Sequence, residues 1–168
     1  MVIKYVGKLS LKYKIYNMIT IEDFKIKHPN KVRFIGLDLG SKRIGVSICD
    51  ERQSIATPFK TINKTNTNEL IDQLKSIIKE NNIGGIIIGN PVNMDGSIGR
   101  SAQSVNDVAS NISKSIDLPV LLWDERLSTV GAFNLSSLLD VNVSKRVKTI
   151  DQNAAAFILQ GAIDYLNN

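Results

Sequence analysis

The sequence predicts an α/β protein with one mixed sheet and helices on both faces, and three observations lead to that prediction. Three β-prone segments follow one another between residues 32 and 62. Two further apolar strands, at about residues 83–89 and 120–123, alternate with segments whose apolar residues recur at helical spacing. The chain has 168 residues, 43% of them hydrophobic, which is enough for one domain with a full core. The predicted element order is βββαβαβαα, with five strands.

The first three strands are predicted to form a β-meander. Residues 32–38 are apolar and β-prone and end at a Gly-Ser-Lys-Arg turn, and residues 44–49 return from it. Residues 54–62 supply the third strand. Pro58 within it favours an edge position or a bulge, because proline lacks the N–H that a central strand uses.

The second half of the chain predicts parallel crossovers. An apolar stripe over residues 70–78 precedes the strand at 83–89, and a second stripe over 102–116 precedes the strand at 120–123. Two more helices are expected, one from about Ser128 to Leu139 and one that starts near Thr149. Helices between strands require right-handed parallel crossovers, and ligands of such sheets collect at the carboxyl ends of the parallel strands.

The positive charge is concentrated at the N-terminus. Residues 1–33 hold eight Lys or Arg and two acids, a net of +6, whereas the other 135 residues hold thirteen bases and fourteen acids, a net of −1. We therefore interpret residues 1–30 as a basic extension, with disorder of residues 1–17 left open, and residues 31–168 as the domain.

The composition excludes several kinds of site. One cysteine, Cys49, cannot form an internal disulfide, and one cysteine with one histidine cannot supply a structural zinc site. No apolar run reaches the roughly 18 residues of a membrane span, so no membrane partner is expected. A reducing, cytoplasmic setting fits best, and the chemistry is expected to use carboxylates.

Acids occur at three places where strand ends should meet. Asp38 is predicted to end the first strand, Asp124 and Glu125 to follow a buried strand, and Asp151 to lie in the first turn of the last helix. Each has an ordinary alternative, as a turn residue, a polar loop or a helix N-terminal acid. In an extended chain neighbouring side chains point to opposite faces, so at most one of Asp124 and Glu125 should join Asp38. Together the acids offer the oxygen ligands of Mg²⁺, and two such ions suit phosphodiester hydrolysis.

Polar and basic residues flank the same edge. Their expected role is to bind nucleic-acid phosphates, and solvated charge on loops is the equal alternative. The loop of residues 90–100 leaves a strand and enters a helix, where backbone N–H groups can meet a phosphate. The cluster around Lys145, which immediately precedes the predicted last helix, is the better candidate. The candidates are Lys42, Arg43, Asn93, Arg100, Arg126, Lys145, Arg146 and Lys148.

Four segments carry motifs that occur in a fixed order. They are GLDLGSKRIGV at 36–46, GNPVNMDG at 89–96, WDERLST at 123–129 and DQNAAAFILQ at 151–160. In these segments the chain resembles the YqgF (RuvX) family of RuvC-like proteins, which have the ribonuclease H (RNase H-like) fold. The resemblance covers about residues 30–166, and four linked motifs are far more specific than any one of them.

The resemblance implies a metal-dependent nuclease that trims the 5′ end of the precursor of 16S ribosomal RNA, with Holliday-junction resolution as the older suggestion. By position it implies that Asp38, Glu125 and Asp151 are the catalytic acids. With Asp124 as a further candidate ligand, they would hold two Mg²⁺ or Mn²⁺ ions. Precursor rRNA is the expected partner, ahead of branched DNA. Binding to ribosomal particles and formation of a homodimer are left open.

Two other functions are alternatives to this interpretation. The segment of residues 38–41 also resembles the phosphate loop of actin-like ATPases and sugar kinases, but those proteins close two such domains around the nucleotide and 168 residues make only one. A non-catalytic RNA-binding or transcription-associated module is the other alternative. It predicts RNA binding that a chelator does not affect and no cleavage at any metal concentration.

Overall fold

The computed structural model describes residues 18–27, 31–127 and 143–168, the stretch 143–150 by its backbone alone. The strands are β1 Met18–Ile19, β2 Arg33–Leu39, β3 Arg43–Cys49, β4 Ala56–Asn63, β5 Ile83–Asn90 and β6 Val120–Asp124. The helices are α1 Ile21–Lys27, α2 Thr67–Asn81, α3 Arg100–Ser115 and α4 Val143–Asn167, and a 3₁₀ turn spans Glu125–Leu127. The helix predicted from Ser128 to Leu139 lies outside the described residues.

One mixed sheet organises the fold, in the order β1-β6-β5-β2-β3-β4. The pairs β2–β3 and β3–β4 are antiparallel, and the pairs β2–β5, β5–β6 and β1–β6 are parallel. The predicted meander and crossovers are confirmed. Pro58 lies in the edge strand β4, beside a register shift between Val46 and Ser47, so both the edge position and the bulge that proline favours are present.

The predicted count of five strands is wrong, since the sheet has six among the described residues. The sixth is β1, in which Met18 pairs with Val120 and Ile19 with Leu121. Two residues are too few to show the alternation that marks a strand, so the sequence pattern did not reveal it. Residues 18–27 lie within the segment that the charge distribution assigned to the extension, yet Phe24 is fully buried.

Helices cover the two faces of the sheet. On one face α2 and α3 pack on side chains that include Ile35 and Leu37. On the other face α4 packs on alternate positions of the same strands, among them Phe34, and its buried residues include Ile158 and Leu159. None of the helices in the described stretches combines the length and apolar character needed to cross a membrane.

The last helix starts earlier than its apolar pattern indicates. The sequence places the start near Thr149, whereas α4 begins at Val143. Lys145, Arg146 and Lys148 therefore lie in the first turns of α4 and do not precede it. The reason for the error is that these turns are basic, and the apolar periodicity begins only after them.

Candidate active site at the carboxyl edge of the sheet

Asp38 lies on the face of the sheet that α4 covers. It pairs with Gly45 across the antiparallel β2–β3 ladder, and directly opposite residues in such a ladder point to the same face. Alternation along β2 places Asp38 on the same side as Phe34, which belongs to the core beneath α4. The carboxylate therefore lies at the end of β2, on the side that α4 covers.

Close packing of α4 on β3 brings Asp151 to the same place. A Cβ atom on Gly45 would overlap the backbone carbonyl of Asp151, so only glycine allows the helix to approach this closely. One turn further along, the buried Ser47 hydroxyl donates a hydrogen bond of 2.8 Å to the carbonyl of Ala155. Asp151 consequently stands over Gly45, the strand partner of Asp38.

Glu125 reaches this face from the neighbouring strand. The 3₁₀ turn begins directly after β6, and the Glu125 side chain folds across the end of β5. Its Oε1 would lie 2.6 Å from a Cβ atom placed on Gly89, so the glycine provides the space that this carboxylate occupies.

The carboxylates repel one another in a partly buried setting. Burial raises the pKa of Asp38, and the neighbouring Asp151 raises it further. Burial likewise raises the pKa of Glu125, with added contributions from Asp38 and then Asp124. Asp38 thus interacts with both of the other acids, and a cation placed among them would relieve the repulsion.

Asp124 is paired with Arg126. Its two oxygens accept hydrogen bonds from the Arg126 guanidinium at 2.6 to 3.1 Å, and the hydrogen bond from the Arg126 side chain is the main reason why the pKa of Asp124 is lowered. The same guanidinium donates through Nη1 to the carbonyl of Asn93 at 3.3 Å. The Asp124–Arg126 pair therefore ties the loop after β5 to the end of β6.

Asp151 faces a cation of the protein itself. Arg43 Nε lies 2.8 Å from Asp151 Oδ2, yet that oxygen is buried and has no aligned hydrogen-bond donor among the described residues, so the contact is an ion pair and not a directed hydrogen bond. Beside it lies an open cavity of about 580 Å³. Its lining residues are Gly40, Ser41, Lys42, Arg43, Asn63 and Asp151.

The donor set at this edge suits a hard divalent cation. Asp38, Glu125 and Asp151 offer carboxylate oxygens, one of them buried without a hydrogen-bond donor. Within residues 18–27, 31–127 and 151–168, no three His, Cys, Asp or Glu side chains are close enough together to hold an ion as they stand. The chemistry of the residues fits Mg²⁺ or Mn²⁺, and binding would require the acids to draw together.

The other predicted phosphate-binding residues are placed as follows. The Asn93 side chain donates to the Ser97 hydroxyl at 2.9 Å and so braces its own loop. Arg100 is exposed and is the first residue of α3. The side chains of Lys145, Arg146 and Lys148 lie outside the described residues.

Two cavity residues, Ser41 and Asn63, were missed at the sequence level. Asn63 pairs with Arg43 across the β3–β4 ladder. The register between β3 and β4 would have indicated Asn63, but the sequence pattern alone does not determine which residues of the two strands pair.

Comparison with known proteins identifies the family. A family model described as RuvX, Holliday junction resolvase, matches residues 32–165. The chain belongs to the RuvX family. A candidate pre-16S rRNA nuclease of Pelagibacter ubique (strain HTCC1062) is 95% identical over 151 residues, which are 90% of this chain and 100% of that protein. A protein of the same description from Cereibacter sphaeroides (strain ATCC 17025) is 44% identical over 148 residues, 88% of this chain and 92% of that protein.

Solved structures show that this RuvX-family chain shares the RuvC-like, RNase H-like fold predicted for it. RuvC of T. thermophilus, in complex with a Holliday junction substrate, aligns with a TM-score of 0.54 at 10% identity, over 80% of this chain and 94% of that one. The yeast mitochondrial Holliday junction resolvase Ydc2 aligns with a TM-score of 0.51 at 15% identity, over 88% of this chain and 84% of that one.

Proposed function

We propose that this chain is a metal-dependent nuclease that processes the 5′ end of the 16S rRNA precursor. Its relatives at 44% and 95% identity carry the description of a candidate pre-16S rRNA nuclease. The observation that supports the chemistry most directly is the interaction of Asp38 with both Asp151 and Glu125. We assign the protein to the cytoplasm, with precursor ribosomal particles as its partner.

The proposed roles follow from the placement of the side chains. Asp38, Glu125 and Asp151 hold the ions. Two divalent ions held by these acids would supply an activated water and would stabilise the leaving oxygen of the phosphodiester. Asp124 holds Arg126 and through it the loop at Asn93, so its role is to position the loop.

The phosphate-binding surface is proposed to lie on both sides of these acids. Lys42 and Arg43 flank Asp151 at the cavity, and Arg126 and Arg100 lie near the loop after β5. Cations on both sides would guide a nucleic-acid strand across the edge of the sheet, since contacts to phosphates fix the register of a bound strand.

The test compares the two adjacent acids. The full-length protein is incubated with a 16S precursor RNA and Mn²⁺ or Mg²⁺, and the 5′ end is mapped. Glu125→Gln should lower the cleavage rate by at least about 100-fold, the loss typical of removing a group that stabilises transition-state charge. Asp124→Asn should lower it by about tenfold, the lower end of the loss typical of an outer residue that orients a site.

Two results would contradict the proposal. One is cleavage by Glu125→Gln at the wild-type rate. The other is cleavage by the wild-type protein that continues after chelation of divalent ions.

Branched DNA is the second candidate substrate, because the matching family model is described as a Holliday junction resolvase. A four-way junction and the precursor RNA, offered at equal concentration, separate the two. Preferential cleavage of the junction at symmetric positions would favour the DNA substrate, and preferential release of the mature rRNA end would favour the RNA substrate.

A further inference from the structure

Arg43 contacts a candidate metal-binding acid, Asp151, and both residues line the same open cavity. Arg43 begins β3, and its Nε is 2.8 Å from Asp151 Oδ2. About 38% of the Arg43 side chain is exposed, against 20% of the Asp151 side chain. The arginine is therefore the more accessible partner and the one with room to move.

The ion pair and a metal ion would use the same carboxylate. A Mg²⁺ ion binds carboxylate oxygens at about 2.0 to 2.1 Å. A guanidinium nitrogen at 2.8 Å from Oδ2 already occupies one approach to that oxygen. No donor is aligned with Oδ2, so Arg43 holds it by charge, and the oxygen keeps lone pairs for a stronger cation. Arg43 and a cation would therefore compete for this carboxylate.

The cavity next to the pair has the composition of a phosphate site. Of its six lining residues, Ser41 supplies a hydroxyl, Lys42 an ammonium group and Asn63 a side-chain amide. Asp151 is the one acid among the described residues that line it. A guanidinium that leaves Asp151 remains at the wall of this cavity, where its fork of N–H groups matches a phosphate.

We propose that Arg43 and a divalent cation compete for Asp151, and that the displaced guanidinium turns into the adjacent cavity and binds a backbone phosphate of the nucleic acid. This inference rests on the proposed metal-dependent function. It adds an order of binding, in which the metal ion binds first and the phosphate second. Metal binding frees the residue that binds substrate, so metal and nucleic acid strengthen each other's binding by the same factor. Until the cation arrives, Arg43 compensates the charge of Asp151.

The first test measures Mn²⁺ affinity by calorimetry without nucleic acid. Arg43→Gln should bind Mn²⁺ about three- to tenfold more tightly than wild type, because the competing cation is gone. Lys42→Gln is the matched control. It removes the same charge from the neighbouring residue, which also lines the cavity. Because the ion pair described for Asp151 is made by Arg43 and not by Lys42, the Mn²⁺ affinity of this control should stay within about twofold of wild type. Arg43→Lys keeps the charge and should bind Mn²⁺ less tightly than Arg43→Gln.

The outcomes separate this inference from the proposed function. Three results would overturn the competition and leave the nuclease proposal standing. They are an equal Mn²⁺ affinity of wild type and Arg43→Gln, an equal rise in Mn²⁺ affinity in Arg43→Gln and Lys42→Gln, and a weaker Mn²⁺ affinity of Arg43→Gln than of wild type. If neither wild type nor Arg43→Gln binds Mn²⁺, the metal-dependent function and the inference fail together. Circular dichroism of each variant verifies that it is folded.

The second test measures the coupling. Binding of a labelled single-stranded RNA is followed by fluorescence anisotropy with and without Ca²⁺, an oxygen-binding divalent ion, and a gel verifies that the RNA stays intact. Ca²⁺ should raise the RNA affinity of wild type and of Lys42→Gln by the same factor, although Lys42→Gln binds more weakly throughout. Arg43→Gln should show a smaller gain, because the bound ion still attracts phosphate but the freed guanidinium is missing. A gain of equal size in Arg43→Gln would overturn the proposed movement into the cavity.

Discussion

Asp38 illustrates at the residue scale what the charges of the site do to stability. Burial and the neighbouring Asp151 raise its pKa, so the folded protein holds the proton more tightly than the unfolded chain does. As the pH rises through the interval between the ordinary pKa and the raised one, the unfolded chain loses the proton first, and the folded state loses stability. At neutral pH the ionised carboxylate therefore destabilises the protein when no cation is bound.

Asp38→Asn removes that charge. We expect its melting temperature at pH 7, without divalent ions, to equal that of wild type or exceed it by up to about 3 °C, a shift that corresponds to about 1 kcal/mol at this size. The difference should vanish near pH 3, where the wild-type carboxyl is protonated. Thermal unfolding at both pH values measures it. A variant that melts well below wild type at pH 7 would show that Asp38 has a structural role that its geometry does not indicate.

The contact between α4 and β3 is the decisive packing at the element scale. Gly45 and Ser47 are small residues on one face of β3, and they let the helix backbone approach the strand. Because Asp151 sits in the part of α4 that rests on Gly45, this contact sets the distance between the acids of the helix and those of the sheet. Side-chain size in β3 therefore controls the geometry of the site.

Gly45→Ala tests that contact. The added methyl group meets backbone of α4, which cannot move away as a flexible side chain could, so we expect a loss of stability of about 1 to 3 kcal/mol and a large loss of cleavage. Gly99→Ala is the control, since the atoms nearest to its Cβ would be those of the Asn93 side chain, at 3.4 Å or more. Its stability should change by about 0.5 kcal/mol or less. Chemical denaturation of both variants measures the difference, and a Gly45→Ala protein as stable as Gly99→Ala would contradict the packing described.

The elements also show what sequence periodicity can and cannot predict. The strands of the meander and the two crossover helices were predictable because each repeats apolar residues over several turns or alternations. The first turns of α4 carry Lys145, Arg146 and Lys148, and no apolar stripe marks the true start. The acids at the strand ends were predictable from their positions. The pairing of Asp151 with Arg43 was not, because it depends on how closely the helix approaches the strand.

The sheet as a whole includes a segment that the charge distribution placed outside it. Residues 18–27 add β1 to the edge of the sheet and bury Phe24, whose ring meets that of Phe34 edge to face at a centroid distance of 5.2 Å. The positive charge of residues 1–33 does not distinguish an extension from a packed edge, because charge says nothing about the apolar residues between the lysines. Residues 18–27 therefore belong to the folded unit.

Phe24→Ala tests that boundary in the full chain. Removing a fully buried aromatic ring should cost about 3 to 5 kcal/mol of unfolding free energy. Ile26→Ala, two residues away on a side chain that is 81% exposed, should cost about 0.5 kcal/mol or less. Urea denaturation of the two variants makes the comparison. Equal stability of Phe24→Ala and wild type would mean that this segment does not contribute to the core in solution.

At the scale of the whole molecule, we propose that acids from β2, from the turn after β6 and from α4 lie together at the carboxyl edge of the sheet and hold the ions of a nuclease. Anomalous scattering from a crystal soaked in Mn²⁺ tests it most directly. We predict density between Asp38, Glu125 and Asp151, with carboxylate oxygens at about 2.1 Å from the ion and Arg43 moved off Asp151. Mn²⁺ bound only at other places, with Asp38 and Glu125 contacting no ion, would contradict the account.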